Sequence, residues 1–218
     1  MTEQVMDKDV PVPDARVYVV DDDPALCDSI NWILESIAIQ PVICHSADSF
    51  LDVYDGTNPA CIVLDVRMPG ISGTRLQDKI NEFAPHVVII FVSGHGDIRT
   101  SVSTLQKGAM DFLEKPYDPQ RLLDAVQSGA DRARTRFAGH VARVELREKL
   151  QGLTPRERQI LALVLEGLPS RNIARRLGMS VKTVDVHRAR IKSKTDSDSI
   201  GTFVRDLLRY DVEVPNEF

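Results

Sequence analysis

The sequence predicts two folds in tandem: an α/β doubly wound five-stranded parallel sheet, then an all-α unit of four helices in a helix-turn-helix arrangement. Three observations carry that prediction. From residue 16 to about residue 127, short apolar runs bounded by turn residues alternate with blocks of helical period, the pattern of strands and crossover helices. From Leu153 onward the period is helical throughout. The charge also changes sign: residues 1–128 hold 9 Lys/Arg against 20 Asp/Glu, and residues 129–218 hold 18 against 12. An acidic first half and a basic second half imply different partners, and the second is suited to face a polyanion.

Strands are predicted at 16–20, 40–44, 61–65, 87–93 and 111–114, with helices at 24–37, 47–54, 74–83, 98–107 and 119–127. Gly56, Pro59, Gly70, Gly73, Pro85 and Gly108 fall in the connections, where such a unit must turn. Over 128–151 apolar density falls and Arg132, Arg134, Arg136, Arg143, Arg147 and Lys149 accumulate. The stretch lacks proline, so it reads as a charged helix extending the fifth one, with a solvated spacer as the competing reading. The boundaries follow: a polar extension over 1–15, the sheet unit over 16–127, the linker over 128–151, the helical unit over 152–210 and a tail over 211–218.

In the helical unit, Thr154 is placed to cap a helix with Pro155 at its first position and Glu157 in its first turn. Ile160, Leu161, Val164 and Leu165 give that helix an inner face, and Gly167 stops it. A second helix is predicted at 171–177, ending at Gly178. Ser180 caps a third at 181–194, and a fourth covers 200–210 with Phe203, Val204, Leu207 and Leu208 inward. The short turn between the second and third helices fits a DNA-binding helix-turn-helix. Along the third, residues three and four apart share a face, which sends Val184, Ala189 and Ile191 inward and Lys182, Asp185, Arg188 and Lys192 outward.

The chain's 218 residues, 43% hydrophobic, fit one or two domains with proper cores. No run has the length of a membrane span and the start is polar and acidic, so no membrane association and a cytoplasmic protein are expected. Cys27, Cys44 and Cys61 have no metal or paired-thiol spacing and read as small buried apolar residues.

The chemistry is expected at the carboxyl ends of the strands, where open parallel sheets bind ligands. The first strand runs into Asp21, Asp22 and Asp23, the third ends in Asp65, and the fifth runs into Lys115 and Pro116. Carboxylates gathered in one crevice repel one another unless a cation neutralises them, and an all-oxygen donor set suits Mg²⁺. Ser93, closing the fourth strand, adds a hydroxyl, and Lys115 an ammonium, for an anionic group in the same place. Asp23 is expected to cap the helix that begins at Pro24.

Taken in this order on strand ends, these residues closely resemble the receiver domain of two-component response regulators, a flavodoxin-like fold. The resemblance implies that Asp65 is the phosphoacceptor and that Asp21, Asp22, Asp65 and the carbonyl of Arg67 hold Mg²⁺. It further implies that Ser93 and Lys115 contact the phosphoryl group, that Phe112 is the switch aromatic, and that the peptide from Lys115 to Pro116 is cis. In the loop that follows Ser93, Gly94 and Gly96 supply freedom, and His95 reads as a loop residue near the signalling face rather than a base.

The segment from Leu153 to Leu208 resembles the LuxR-type DNA-binding domain. The match rests on Leu153, Thr154, Pro155, Arg156, Glu157 and Arg158, on Gly167 and Leu168, on the run from Ile173 to Gly178, and on Thr183, Val184, His187 and Arg188 at the family's spacing. With the receiver ahead of it, the chain looks most like the FixJ subgroup. The cationic outer face of the third helix, weighed with this match, points to DNA contacts by Lys182, Thr183, Asp185, His187, Arg188 and Lys192, with Arg190 and Lys194 as further candidates for phosphate. Three positions depart from the pattern. Pro169 stands where a hydroxyl residue usually caps the second helix, Asp185 places an acid in the recognition helix, and Thr195, Asp196 and Ser197 replace an apolar stretch, which implies a looser fourth helix.

The expected function is a transcription factor rather than an enzyme. A sensor histidine kinase phosphorylates Asp65, the chain dimerises, and two helix-turn-helix units bind double-stranded promoter DNA, with RNA polymerase a further candidate partner. Two alternatives stand beside it. One is a phosphorylation-independent DNA binder with a structural receiver. The other is a phosphatase with an aspartate nucleophile, suggested by Asp21 and Asp23 after the first strand.

Overall fold

The computed structural model describes residues 12–94 and 98–215. Its contacts divide the chain into two compact units, residues 1–138 and 139–218. The first unit alternates β1 (Arg16–Val20), α1 (Pro24–Glu35), β2 (Val42–Cys44), α2 (Ala47–Val53), β3 (Ala60–Asp65), α3 (Gly73–Phe83), β4 (Val88–Ser93), α4 (Ile98–Gln106) and β5 (Asp111–Glu114). All strand pairs are parallel, in the order β2-β1-β3-β4-β5. β1 therefore has β2 on one side and β3 on the other, and the connections diverge there to opposite faces, which opens a crevice above the strand ends.

β3 and β4 are buried at every residue, as central parallel strands covered on both faces must be. Alternate side chains feed two cores. Ile62 and Leu64 join Tyr18, Phe50, Leu76, Ile80 and Phe91 on one face. Cys61 and Val63 join Val19, Ile30, Leu34, Ile90, Leu122 and Val126 on the other. All three cysteines are free and buried, as expected of apolar fillers. β2, the edge strand, is shorter than predicted and begins only after Pro41.

α3 and α4 differ in how they are held. α3 buries Gly73, Leu76, Gln77 and Ile80, whereas Thr104 alone is buried in α4. Polar bonds fasten the end of α4 to α3. Gln77 Nε2 donates to the Thr104 carbonyl at 2.9 Å and Asn81 Nδ2 to the Lys107 carbonyl at 2.9 Å. Lys107 Nζ also pairs with Asp78 at 2.7 Å. Ile98, Val102 and Leu105 lie exposed along one side of α4.

The fifth predicted helix continues without a break through the charged stretch, as α5 (Pro119–Gln151). Its residues divide between the two cores. Ala133 belongs to the first, while Leu146 and Leu150 belong to the second. Gly129 lets α5 lie close on the sheet, since a Cβ there would come 2.6 Å from Cys61 Sγ.

The second unit adds α6 (Pro155–Leu165), α7 (Ser170–Arg176), α8 (Val181–Lys194) and α9 (Ile200–Arg209) around Leu161, Ile173, Val184, Ile191, Phe203 and Leu207. Thr154 and Glu157 form the predicted capping box, and the caps of α8 and α9 are Ser180 and Ser199. Pro169 supplies no side-chain cap to α7. Two inward assignments need correction: Leu208 is 68% exposed and Ala189 is exposed. The expected looseness of α9 is also absent. Thr195 is fully buried with its hydroxyl donating to the Ile191 carbonyl at 2.9 Å, so the polar residue is satisfied, and Phe203 and Leu207 pack at 1% exposure.

Candidate functional site

Parallel pairing brings the carboxyl ends of β1, β3 and β5 to one edge, and the side chains there converge on one ammonium. Lys115 Nζ lies 2.8 Å from Asp65 Oδ1 and 2.9 Å from Asp21 Oδ2. The other carboxylate oxygens are held by backbone: Asp65 Oδ2 accepts from Arg67 N at 2.6 Å, and Asp21 Oδ1 from Asp23 N at 2.9 Å. Asp21 and Asp65 are 3% and 8% exposed, so both charges are withdrawn from water. β4 lies between Asp65 and Lys115. Its last residue, Ser93, is buried, and the Ser93 carbonyl accepts from Lys115 N at 2.8 Å, tying the lysine's backbone to the strand end. The peptide from Lys115 to Pro116 is cis.

The electrostatics follow from this sharing. Burial pushes the Asp21 carboxyl above its usual range, and the neighbouring Asp65 charge pushes the same way; Lys115 and the Asp23 N–H oppose without prevailing. For Lys115, burial disfavours the ammonium, but its bonds to Asp65 and Asp21 outweigh that and hold its pKa above the ordinary lysine value.

The expected trio of crowded acids becomes a pair. Asp22 is exposed, and among the described residues no three acid, His or Cys side chains converge into a closed metal cage. Asp23 caps α1, accepting from Ala25 N at 3.0 Å and Leu26 N at 3.4 Å. Two buried carboxylates sharing one cation leave charge uncompensated. That donor set fits a hard divalent ion that keeps several waters, as Mg²⁺ does, better than a fully caged metal.

Phe112 is half-buried, packed against the core with its ring centroid 6.3 Å from that of Phe91. His95 lies outside the described residues. Gly73 was legible only as a turn residue, yet it shapes the pocket. A Cβ there would sit 2.0 Å from the Asp65 carbonyl oxygen, and Gly73 N donates to the Val66 carbonyl at 3.1 Å. The start of α3 thus rests directly on the backbone that presents Asp65.

In the second unit α8 presents Lys182, Thr183, Asp185 and Lys192 to solvent, while His187 and Arg188 are half-buried. The Thr183 hydroxyl is paired with Ser180 Oγ at 2.8 Å. His187 Nδ1 is buried with no hydrogen-bond partner among the described residues. Val186, not singled out in the sequence, is 43% exposed on the same helix, four residues after Lys182. Arg190 is exposed. Lys194, expected near phosphate, pairs with Glu157 Oε2 at 2.8 Å.

Comparison with known proteins finds counterparts for both units. A family model described as response regulator receiver domain matches residues 17–127, and one for bacterial regulatory proteins of the luxR family matches residues 151–202. The chain is 39% identical over 192 residues to the transcriptional regulatory protein FixJ of Azorhizobium caulinodans, covering 88% of this chain and 91% of that one. It is 39% identical over 195 residues to the transcriptional regulatory protein TdiR of Thauera aromatica, covering 89% and 86%. The solved structure of the response regulator StyR matches with a TM-score of 0.73 at 34% identity, over 91% of this chain and 100% of that one. Among the described residues no helix is long and apolar enough to cross a membrane. A parallel sheet with an acid pair at its edge, joined to a helix-turn-helix, thus has full-length counterparts, and this chain belongs to the FixJ-like response regulators, the transcription factors of two-component systems.

Proposed function

We propose that Asp65 accepts a phosphoryl group from the phosphohistidine of a sensor kinase in the cytoplasm, and that this switches the chain to a DNA-binding dimer. The observation that carries the reading is the pose of Asp65. It ends a buried strand, with one oxygen on the Arg67 N–H and the other on Lys115. A carboxylate oxygen attacks phosphorus, the P–N bond breaks, and the departing imidazole leaves an acyl phosphate on Asp65. Asp21, Asp22, Asp65 and the Arg67 carbonyl are the residues to hold Mg²⁺, which when bound neutralises charge on the phosphoryl oxygens. Lys115 then exchanges a carboxylate for a phosphoryl oxygen, the Ser93 hydroxyl donates to another, and Phe112 follows Ser93. Asp23, the second acid of the phosphatase alternative, spends one oxygen capping α1, which weighs against that alternative.

The apolar stripe of Ile98, Val102 and Leu105 on α4 supports pairing of two copies along that face. Two α8 helices then enter successive major grooves, about 34 Å apart on the duplex. Lys182, Thr183, Asp185, His187, Arg188 and Lys192 are the proposed contacts, lysines and arginine mainly to phosphate and Asp185 to an exposed base amino group. RNA polymerase is a further candidate partner.

The test is solution mass by light scattering, with and without Mg²⁺ plus beryllofluoride. A dimer forming in the wild type but not in Asp65→Asn supports the switch. An unchanged mass in both, with operator affinity equally unchanged, favours a DNA binder whose receiver is structural.

A further inference from the structure

α8 is anchored in an unusual way for a helix that must be placed accurately. Of its 14 residues only Val184 and Ile191 are fully buried. They are seven residues apart, two turns, so they lie within about 20° of one another around the axis. With His187 and Arg188 half-buried on either side, this gives a narrow buried face, so the roll of the helix depends strongly on what holds its ends. At a radius of about 6 Å, a roll of about 15° moves side-chain tips by roughly 1.5 Å, enough to break a hydrogen bond to a base edge.

The end of α8, and the end of α7 that leads into it, are held by consecutive residues of one turn of another helix. Glu157, in the first turn of α6, is 2% exposed, and its Oε2 takes Lys194 Nζ at 2.8 Å and Thr154 N at 2.9 Å. Lys194 is the last residue of α8, and its Nζ also lies 3.4 Å from the Gly152 carbonyl. Arg156, next to Glu157, donates from one guanidinium nitrogen to the Leu177 carbonyl at 2.9 Å, where α7 ends and the turn into α8 begins. Its other terminal nitrogen donates to Gln159 Oε1 at 2.9 Å. The first turn of α6 thus holds the recognition helix at its exit and the last residue of α7 ahead of the turn that leads into it.

We infer that Arg156 and Glu157 are positioning residues for DNA recognition, acting on base readout through Leu177 and Lys194 without touching DNA, and that Lys194 belongs to this clamp rather than to the phosphate contacts. The inference rests on α8 being the element that reads DNA.

The experiment uses the full chain activated with Mg²⁺ and beryllofluoride, and two probes: a 30-base-pair duplex selected by the wild type from a randomised pool, and a mixed-sequence duplex of equal length. A wild type that selects nothing would remove the DNA reading itself, and the inference with it, before any variant is made. Glu157→Gln and Lys194→Gln should each weaken the selected duplex about tenfold, and together no more than either alone. Binding to the mixed duplex should move by less than about twofold, with the salt slope unchanged. Lys194→Arg, which keeps the ion pair, should restore selectivity. A merely structural role would lower both duplexes alike and would not spare the mixed one. If Lys194 is instead a phosphate contact, Lys194→Gln lowers the salt slope by about one and Glu157→Gln, by releasing the lysine, strengthens binding; that result overturns the inference. So does selectivity unchanged in both. Lys194 is 40% exposed, so its variants are expected to fold even where Glu157→Gln does not.

Discussion

Asp21 in the first unit and Glu157 in the second are 3% and 2% exposed, and their partners are almost the same. Asp21 takes a lysine ammonium at 2.9 Å and a backbone N–H at 2.9 Å; Glu157 takes a lysine ammonium at 2.8 Å and a backbone N–H at 2.9 Å. Their titrations nonetheless shift in opposite directions. Burial pushes both upward; for Glu157 the bonds from Lys194 and Thr154 overcome it and hold the carboxyl below its usual range, while for Asp21 they do not. The difference begins with burial, which weighs more heavily on Asp21 than on Glu157; the Asp65 charge, sharing the same lysine, adds a smaller push in the same direction. One cation for one acid makes a joint. One cation for two acids leaves the pocket short of positive charge, the condition under which a divalent ion binds and an added phosphoryl group rearranges what is there.

The sharpest way to break the first arrangement is Lys115→Met. It leaves two buried carboxylates facing each other, and the first unit should lose about 3 kcal/mol at neutral pH, seen as a lower urea midpoint. Much of the loss should return in acid, where one carboxyl is protonated. Gly73→Ala is expected next, at about 2 kcal/mol, because its Cβ would meet the Asp65 carbonyl and the backbone must shift. It should also blunt the beryllofluoride response, which Gly139→Ala, with open space around the new methyl, should leave intact.

The two acids themselves should part in sign. Glu157→Gln removes hydrogen bonds to a charged group and should cost about 2 kcal/mol, whereas Asp21→Asn relieves repulsion and should raise the midpoint at neutral pH. Their pH dependence differs accordingly. Because folding lowers the Glu157 pKa, its contribution is present above the unfolded glutamate value and is lost as pH falls through the folded one. Because folding raises the Asp21 pKa, its contribution is present below the unfolded aspartate value and is lost as pH rises through the folded one. Urea titrations from pH 3 upward, following each unit by its own variant, separate the two. The smallest effect is expected at Thr195→Val, under about 1 kcal/mol, since deleting the buried hydroxyl removes a donor while the Ile191 carbonyl keeps its helical N–H partner.

The contrast also explains what the sequence disclosed. Asp65 and Lys115 were legible because a parallel strand delivers the residue after its apolar run to a known edge, whatever lies far away in the chain. Helix faces gave less. Ala189 and Leu208 follow the same local period as truly buried neighbours, and only packing decides which side of a small helix meets a core. The pairing of Lys194 with Glu157 was hidden because the two lie 37 residues apart and the glutamate was already accounted for in the first turn of α6. Gly73 carried no signal beyond that of a turn glycine, since closeness to the Asp65 carbonyl is a property of the folded chain alone. The continuous α5 was favoured by the absence of proline, but its division between two cores rests on Ala133, Leu146 and Leu150, which the charged residues around them obscured.

Among the described residues, α4 buries Thr104 and takes polar bonds from α3 at its C-terminal end, and Ile98, Val102 and Leu105 lie exposed. A segment attached in that manner places few demands on the letters written along its outer side. Ile98, Val102 and Leu105 are free to drift without unsettling the sheet beneath them, so the surface proposed for pairing is able to diversify faster than the scaffold that displays it. Gene duplication would then yield sister regulators that share one chemistry yet assemble only with their own kind, and insulation between signalling routes would require a handful of substitutions on a single exposed helix.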